Sequence, residues 1–242
     1  KPSSSAFAAL VMEAISLVSF GASGGGPWAL WRVLEDAKPS RIWTDDDLSP
    51  YYRESSGSEQ EAAKLFCDAE DNLREEDDES ALEKALGAVA AFRKLNHPRG
   101  VADAARLVGH IHLSRCQKMV FNRYFGYKAD LRSILKDAGE LARKELESFR
   151  ATDDRRGQAA MFLLLAELSF EVENLAEASE YAAKARDWFH LSQDVKMEAV
   201  ALLAQSSINF RGGDAAKAMS TATDCFSLFK SLGDRRGQGK AL

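Results

Sequence analysis

The sequence predicts an all-α protein, an α-solenoid of antiparallel helix hairpins that follows a non-repeat N-terminal segment. Three observations predict it. Alanine, leucine, glutamate, lysine and arginine dominate, all strong helix formers, while 5 prolines and 16 glycines in 242 residues are too few for a β protein that turns about every ten residues. Phenylalanine recurs in a fixed register: FRATDDRRGQAAM from Phe149, FHLSQDVKMEAVA from Phe189 and FKSLGDRRGQGKA from Phe229 start 40 residues apart. Small residues recur in pairs 12 apart, at Ala69/Ala81, Ala166/Ala178 and Ser206/Ala218.

An earlier copy, FRKLNHPRGVADA, starts at Phe92, 57 residues before Phe149. In that offset Gly100 falls on Gly157, Gly109 on Ala166 and Ala81 on Ala138, so this unit carries a 17-residue insertion within 115–134. A period of this length is the mark of a repeat array. A third small position follows at Ala88, Ala185 and Cys225, with Glu145 in its place in one unit. Small side chains are expected where two antiparallel helices cross closely, because a larger one would force the backbones apart.

The helix boundaries follow from local signals. Ser58 with Glu61 and Asn174 with Glu177 have capping-box spacing, and Asp78, Asp154, Asp194, Asp214 and Asp234 stand where a side-chain oxygen is needed to accept orphan backbone N–H groups. The predicted pairs are 59–74 with 79–95, 99–118 with 130–150, 155–172 with 175–191, and 195–210 with 214–231. Residues 156–171 are apolar nearly all round, as befits a helix wedged between neighbours. A last helix opens at Asp234, and an array end without a polar capping helix is expected to continue past Leu242.

The small-residue register over 58–242, about four repeats, resembles the tetratricopeptide family in its forty-residue variety, as in kinesin light chains and Pins-type proteins. The sequence departs from that pattern where an aromatic is usual in the first helix, at Asn72, His112, Ser169 and Asn209. The resemblance implies a protein–protein interaction scaffold whose first helices line a concave groove for a partner helix or extended segment. The groove positions it implies are Arg106, His110, Leu163, Glu167, Phe170, Leu203, Ser207, Phe210 and Arg211. They do not reproduce the lysines and asparagines with which some members clamp a terminal carboxylate.

Residues 1–57 stand outside the repeat: an apolar run at 6–20, then GASGGGP, then a tryptophan-bearing acidic stretch. Phe7, Leu10, Leu17, Phe20, Trp28 and Trp31 are candidate anchors, either to a protein surface or to a membrane interface. The run is short for a span and contains Glu13. A residual targeting segment is the third reading. An accessory subunit of a larger membrane-associated assembly, organellar or otherwise, anchored through 6–43 is therefore the alternative to a free scaffold.

The insertion mixes Arg115, Lys118, Arg123, Lys128 and Arg132 with Phe121, Tyr124, Phe125 and Tyr127. Arg123, Tyr124, Phe125 and Tyr127 are candidate contacts, for protein first and for RNA as a weaker alternative through 115–132. The net charge of −5 disfavours nucleic acid for the whole body. Three cysteines without CxxC spacing (Cys67, Cys116, Cys225) suit a reducing intracellular compartment, cytoplasmic or organellar. No nucleophile–base pair, phosphate-binding loop or four-ligand metal set stands in the sequence, so no enzymatic activity, cofactor or metal is expected; His112 and Cys116 share a helix face but have no second pair. Glu75–Glu79 reads as a solvated turn, and Arg155, Arg156, Arg235 and Arg236 as partners of the aspartates beside them.

Overall fold

The computed structural model describes residues 48–123 and 131–242, all within the compact unit Trp43–Leu242. Among them there is no strand. The helices are α1 (Ser49–Arg53), α2 (Gln60–Arg74), α3 (Asp78–Lys94), α4 (Pro98–Arg123), α5 (Leu131–Ala151), α6 (Arg155–Glu171), α7 (Leu175–Leu191), α8 (Val195–Arg211), α9 (Ala215–Ser231) and α10 (Arg235–Ala241). Each packs on the next, and α2, α4, α6 and α8 also touch in succession. The described residues thus form an all-α solenoid of antiparallel hairpins, with first helices α2, α4, α6 and α8 as one layer and second helices α3, α5, α7 and α9 as the other.

One turn, used seven times, makes this stack regular. After α2, α3, α5, α6, α7, α8 and α9 a residue enters the left-handed region: Glu76, Asn96, Asp153, Glu173, Gln193, Gly213 and Gly233. At the α5–α6 junction Asp153 N–H donates to Arg150 C=O (3.3 Å) and Asp154 N–H to Phe149 C=O (2.9 Å), the Schellman pattern that satisfies the ending helix's carbonyls. Asp154 then caps the next helix by accepting from Gly157 N–H at 3.0 Å. One residue closes one helix and opens the next, which fixes the angle between them. Asp77, Asn174, Asp194, Asp214 and Asp234 do the same. At the α3–α4 turn the imidazole of His97 takes the role, its Nδ1 accepting from Gly100 N–H at 2.8 Å.

Two capping expectations need correction. The cap of α3 is Asp77 rather than Asp78, because its carboxylate reaches Ser80 N–H. Ser58 caps nothing: it lies in the short 3-10 turn Gly57–Glu59, and α2 starts without a side-chain cap.

The phenylalanine register is a packing device. At the second-to-first-helix turns the rings of Phe92, Phe149 and Phe229 lie over Gly100, Gly157 and Gly237, where an added Cβ would meet ring atoms at 2.3, 2.5 and 2.2 Å. Phe189 and Met197 hold the same two register positions, and both are buried. Tyr52 stands 40 residues before Phe92. Its ring packs against Phe66 and Phe92, with centroids 4.5 and 5.4 Å away. The register therefore reaches back into α1, whose N-terminus is capped by a buried carboxylate: Glu70 accepts from Leu48 N–H (3.1 Å), Ser49 N–H (2.8 Å) and the Ser49 hydroxyl.

Of the paired small residues Ala69, Ala81, Ala138, Ala166 and Ala178 are completely buried, Gly109 and Ala218 are buried, and Ser206 is half-buried. Across the α8–α9 hairpin the Ser206 hydroxyl donates to Ala218 C=O at 2.9 Å, and Cys225 Sγ lies 3.2 Å from Ala199 C=O. Gly109 serves a different contact from the one expected. Its Cβ would collide at 2.1 Å with Leu164 of α6, so here smallness brings successive first helices together rather than the two helices of one hairpin. Glu145, the exception at the third small position, is buried against α3 by an ion pair to Arg93 at 2.6 Å.

Candidate functional site

The positions expected to line a groove divide sharply. Arg106, His110, Leu163, Glu167, Phe170 and Leu203 are all buried. Residues 100–114 of α4 and 157–170 of α6 are buried on every side. Groups with no access to solvent cannot meet a partner in this state, so these six act within the fold. Ser207 is half-buried, its hydroxyl donating to Leu203 C=O at 3.2 Å. Arg211 is exposed and Phe210 is 72% exposed.

Three of the buried residues form one polar contact between α4 and α6. Arg106 Nη2 donates to Glu167 Oε1 at 3.2 Å, and His110 Nε2 lies 3.3 Å from Glu167 Oε2 and 3.0 Å from Arg106 Nη2. With the proton on Nε2 the imidazole donates to the carboxylate, leaving the guanidinium to neutralise the same anion. A buried charge requires such pairing. Ser114, one turn beyond His110 on α4, has a buried hydroxyl without a hydrogen-bond partner, so the described residues assemble no nucleophile–base pair here. Nor do they place three or more His, Cys, Asp or Glu side chains where a metal could be held.

A second polar chain links four elements and brings in Tyr52 and Asp103, which were not singled out in the sequence. Tyr52 O–H donates to Asp103 Oδ2 at 2.8 Å, and Arg156 Nη2 donates to Asp103 Oδ1 at 3.0 Å. Arg156 Nε continues to Asp194 Oδ2 at 2.8 Å, the residue that caps α8 through its other oxygen. Arg156 thus bridges the first helices of neighbouring repeats instead of pairing with Asp153 or Asp154. Burial alone would lower the Arg156 pKa, but the Asp103 and Asp194 carboxylates outweigh it and hold the guanidinium above its ordinary value. Burial first, and then the Asp103 charge, push the Tyr52 hydroxyl well above its ordinary range. The signal available in the sequence was the step of 40 from Tyr52 to Phe92.

Arg115 and Lys118 of the basic–aromatic stretch meet the acidic turn 75–79. Lys118 Nζ lies 2.7 Å from Asp78 Oδ2 and donates to Glu76 C=O at 3.2 Å, and Arg115 Nη2 donates to Asp78 C=O at 3.3 Å. The longer α4 is thereby tied to the α2–α3 turn, and that turn is an anchor as well as a solvated loop. Arg123 closes α4. Tyr124, Phe125 and Tyr127 lie outside the described residues, as do the anchors Phe7, Leu10, Leu17, Phe20, Trp28 and Trp31. No described helix is long and apolar enough to cross a membrane. All three thiols are buried, and burial pushes those of Cys116 and Cys225 up to about 12.

The open part of the expected surface is the end of α8. There the Arg211 guanidinium lies 4.7 Å from the Phe170 ring centre, and its Nη1 is 3.9 Å from Glu173 Oε1. Phe210 beside it and Met219 on α9 are 72% and 74% exposed. No protein-family profile matches the chain, and no curated protein matches it.

Proposed function

We propose that the chain is a non-enzymatic, tetratricopeptide-type scaffold that binds other proteins through its layer of first helices, as a component of a larger assembly. The observation that supports the reading is the stacked succession α2, α4, α6, α8, closed over α4 and α6 but open along the end of α8, where a helix or extended segment has room to lie. Of the positions implied for that surface, Ser207, Phe210 and Arg211 have the solvent access a contact needs. A large exposed aromatic beside an arginine is the composition of an interface hot spot. The engagement of Arg115 and Lys118 by the acidic turn leaves fewer free cations for the RNA reading.

A photo-crosslinking amino acid placed at Phe210, with one at Leu86 on α3 as the control, tests the reading in cells. Leu86 is also exposed, at 47%. A discrete protein adduct from position 210 and none from position 86 is the expected result. Equal labelling from both positions, or none from either, contradicts it.

A further inference from the structure

The turns at the two edges of the stack carry opposite charge. At one edge α3, α5 and α7 end and α4, α6 and α8 begin, and the seven residues after Phe92, Phe149 and Phe189 hold seven Lys and Arg against three Asp. At the other edge the described turns 74–80, 171–177 and 211–217 hold nine Asp and Glu against three Lys and Arg. A 17-residue helix is about 25 Å long, several times the roughly 8 Å screening length at physiological salt, so each edge presents its own field. Along the basic edge Arg93, Lys94, Arg150 and Arg155 are exposed, and Arg93 keeps 51% of its side chain open although it pairs with Glu145. Asp154 and Asp194 cap helices, which leaves Asp153 as the one exposed carboxylate of these three turns. Leu95 and Leu191, in the same turns, are 36% and 64% exposed.

The helix dipole favours cations at helix C-termini, which accounts for Arg93, Lys94 and Arg150. It repels a cation at the first residue of α6, where Arg155 stands, so helix formation does not account for Arg155. We propose that this edge binds an acidic segment of a partner protein in which carboxylates alternate with aliphatic side chains. Guanidinium groups pair with carboxylates through two parallel hydrogen bonds, and Leu95 and Leu191 give the aliphatic side chains apolar surface to cover. Helices pack about 8–10 Å apart, so three successive turns span roughly 20 Å, the reach of about six extended residues. Nucleic acid fits this edge less well. The three turns contain no Phe, Tyr or Trp on which a base would stack, and Asp153 interrupts the row along which phosphates would run. An anionic membrane meets the same carboxylate and finds no aromatic anchor. The surface is distinct from the end of α8, and the proposal rests on the scaffold reading for the existence of a natural partner.

The probe is a fluorescein-labelled peptide of repeated Glu-Leu-Asp triplets, titrated against the whole chain by anisotropy. Saturable binding that weakens as salt rises is expected. A probe with Gln and Asn in place of Glu and Asp, or with Ser in place of Leu, should bind about tenfold more weakly or not at all. Lys94→Glu with Arg155→Glu in the protein should have the same effect. Arg155→Glu agrees with the dipole of α6, so its melting temperature should not fall and lost binding does not report misfolding. Lys217→Glu, an equal charge change at the start of α9 on the other edge, should leave binding unchanged. Absence of binding, or binding indifferent to Arg155→Glu, overturns the proposal. So does tighter, Arg155-dependent binding of a uridine oligonucleotide or of phosphatidylserine vesicles. A cellular adduct at position 210 without probe binding would remove this surface and leave the scaffold; probe binding without an adduct would keep this surface and remove the contact at α8.

Discussion

Helices α4 and α6 meet through buried charge, whereas α8 and α9 meet through small side chains. In the first region Arg106 and Glu167 neutralise each other beside His110, and Asp103 is shared by Tyr52 and Arg156. In the second, Ser206 reaches Ala218 and Cys225 reaches Ala199. Both regions use 17-residue helices and the same three-residue turn where the insertion does not intervene. The difference teaches that the turn sets the geometry and the side chains at the crossing set the chemistry. The charged region is closed on all sides. The small-residue region ends in an exposed Phe210.

The comparison breaks most readily at Asp103. Replacing it by alanine leaves the Arg156 guanidinium and the Tyr52 hydroxyl buried with fewer partners, and should cost about 3–5 kcal/mol in urea unfolding. Tyr52→Phe removes one hydrogen bond and should cost about 1 kcal/mol, and the double variant should fall short of the sum because the two share a carboxylate.

Next in size is the glycine under the phenylalanine. Gly157→Ala sets a Cβ at 2.5 Å from the Phe149 ring and should cost about 1–3 kcal/mol. Gly239→Ala in α10 meets nothing within 4 Å and should be neutral or stabilise by up to about 1 kcal/mol. Thermal unfolding of the pair separates a packing role from helix propensity. In the small-residue region, Ser206→Ala loses one hydrogen bond across the hairpin and should cost about 1 kcal/mol. Arg211→Ala removes an exposed cation from the Phe170 face and should cost about 0.5–1 kcal/mol.

The smallest effect near neutral pH belongs to the thiols, which both regions share. Cys116 and Cys225 have folded-state values pushed up to about 12, above the unfolded value of about 8.5. Their contribution is therefore intact below about pH 8.5 and is lost as pH rises towards the folded value. Unfolding free energy followed by denaturant titration should stay level to that point and decline beyond it.

Much of the architecture was legible in the sequence. The helix pairs, the phenylalanine register and five of the seven turn caps follow from residue type and spacing, because those features repeat and each repeat corroborates the next. What was not legible has local causes. His97 caps through an imidazole, outside the usual set of oxygen acceptors, and Asp77 and Asp78 stand side by side with only backbone geometry to choose between them. The start of the register at Tyr52 is obscured by Pro50 and by the 3-10 turn that replaces the usual link. The candidate surface was read least well, since charge in Arg106 and Glu167 signals exposure until a partner on another helix is known.

Everything above depends on successive hairpins nesting in chain order, and the most direct measurement is a set of three spin-label distances. Glu147→Cys on α5, Asp187→Cys on α7 and Ser227→Cys on α9 are exposed sites at 40-residue steps. The native thiols are buried and un-ionised, so brief labelling reaches the introduced cysteines. Pulsed electron resonance should give matching distances for 147/187 and 187/227 and a clearly longer one for 147/227. A 147/227 distance no longer than the other two would mean that the hairpins do not stack in sequence.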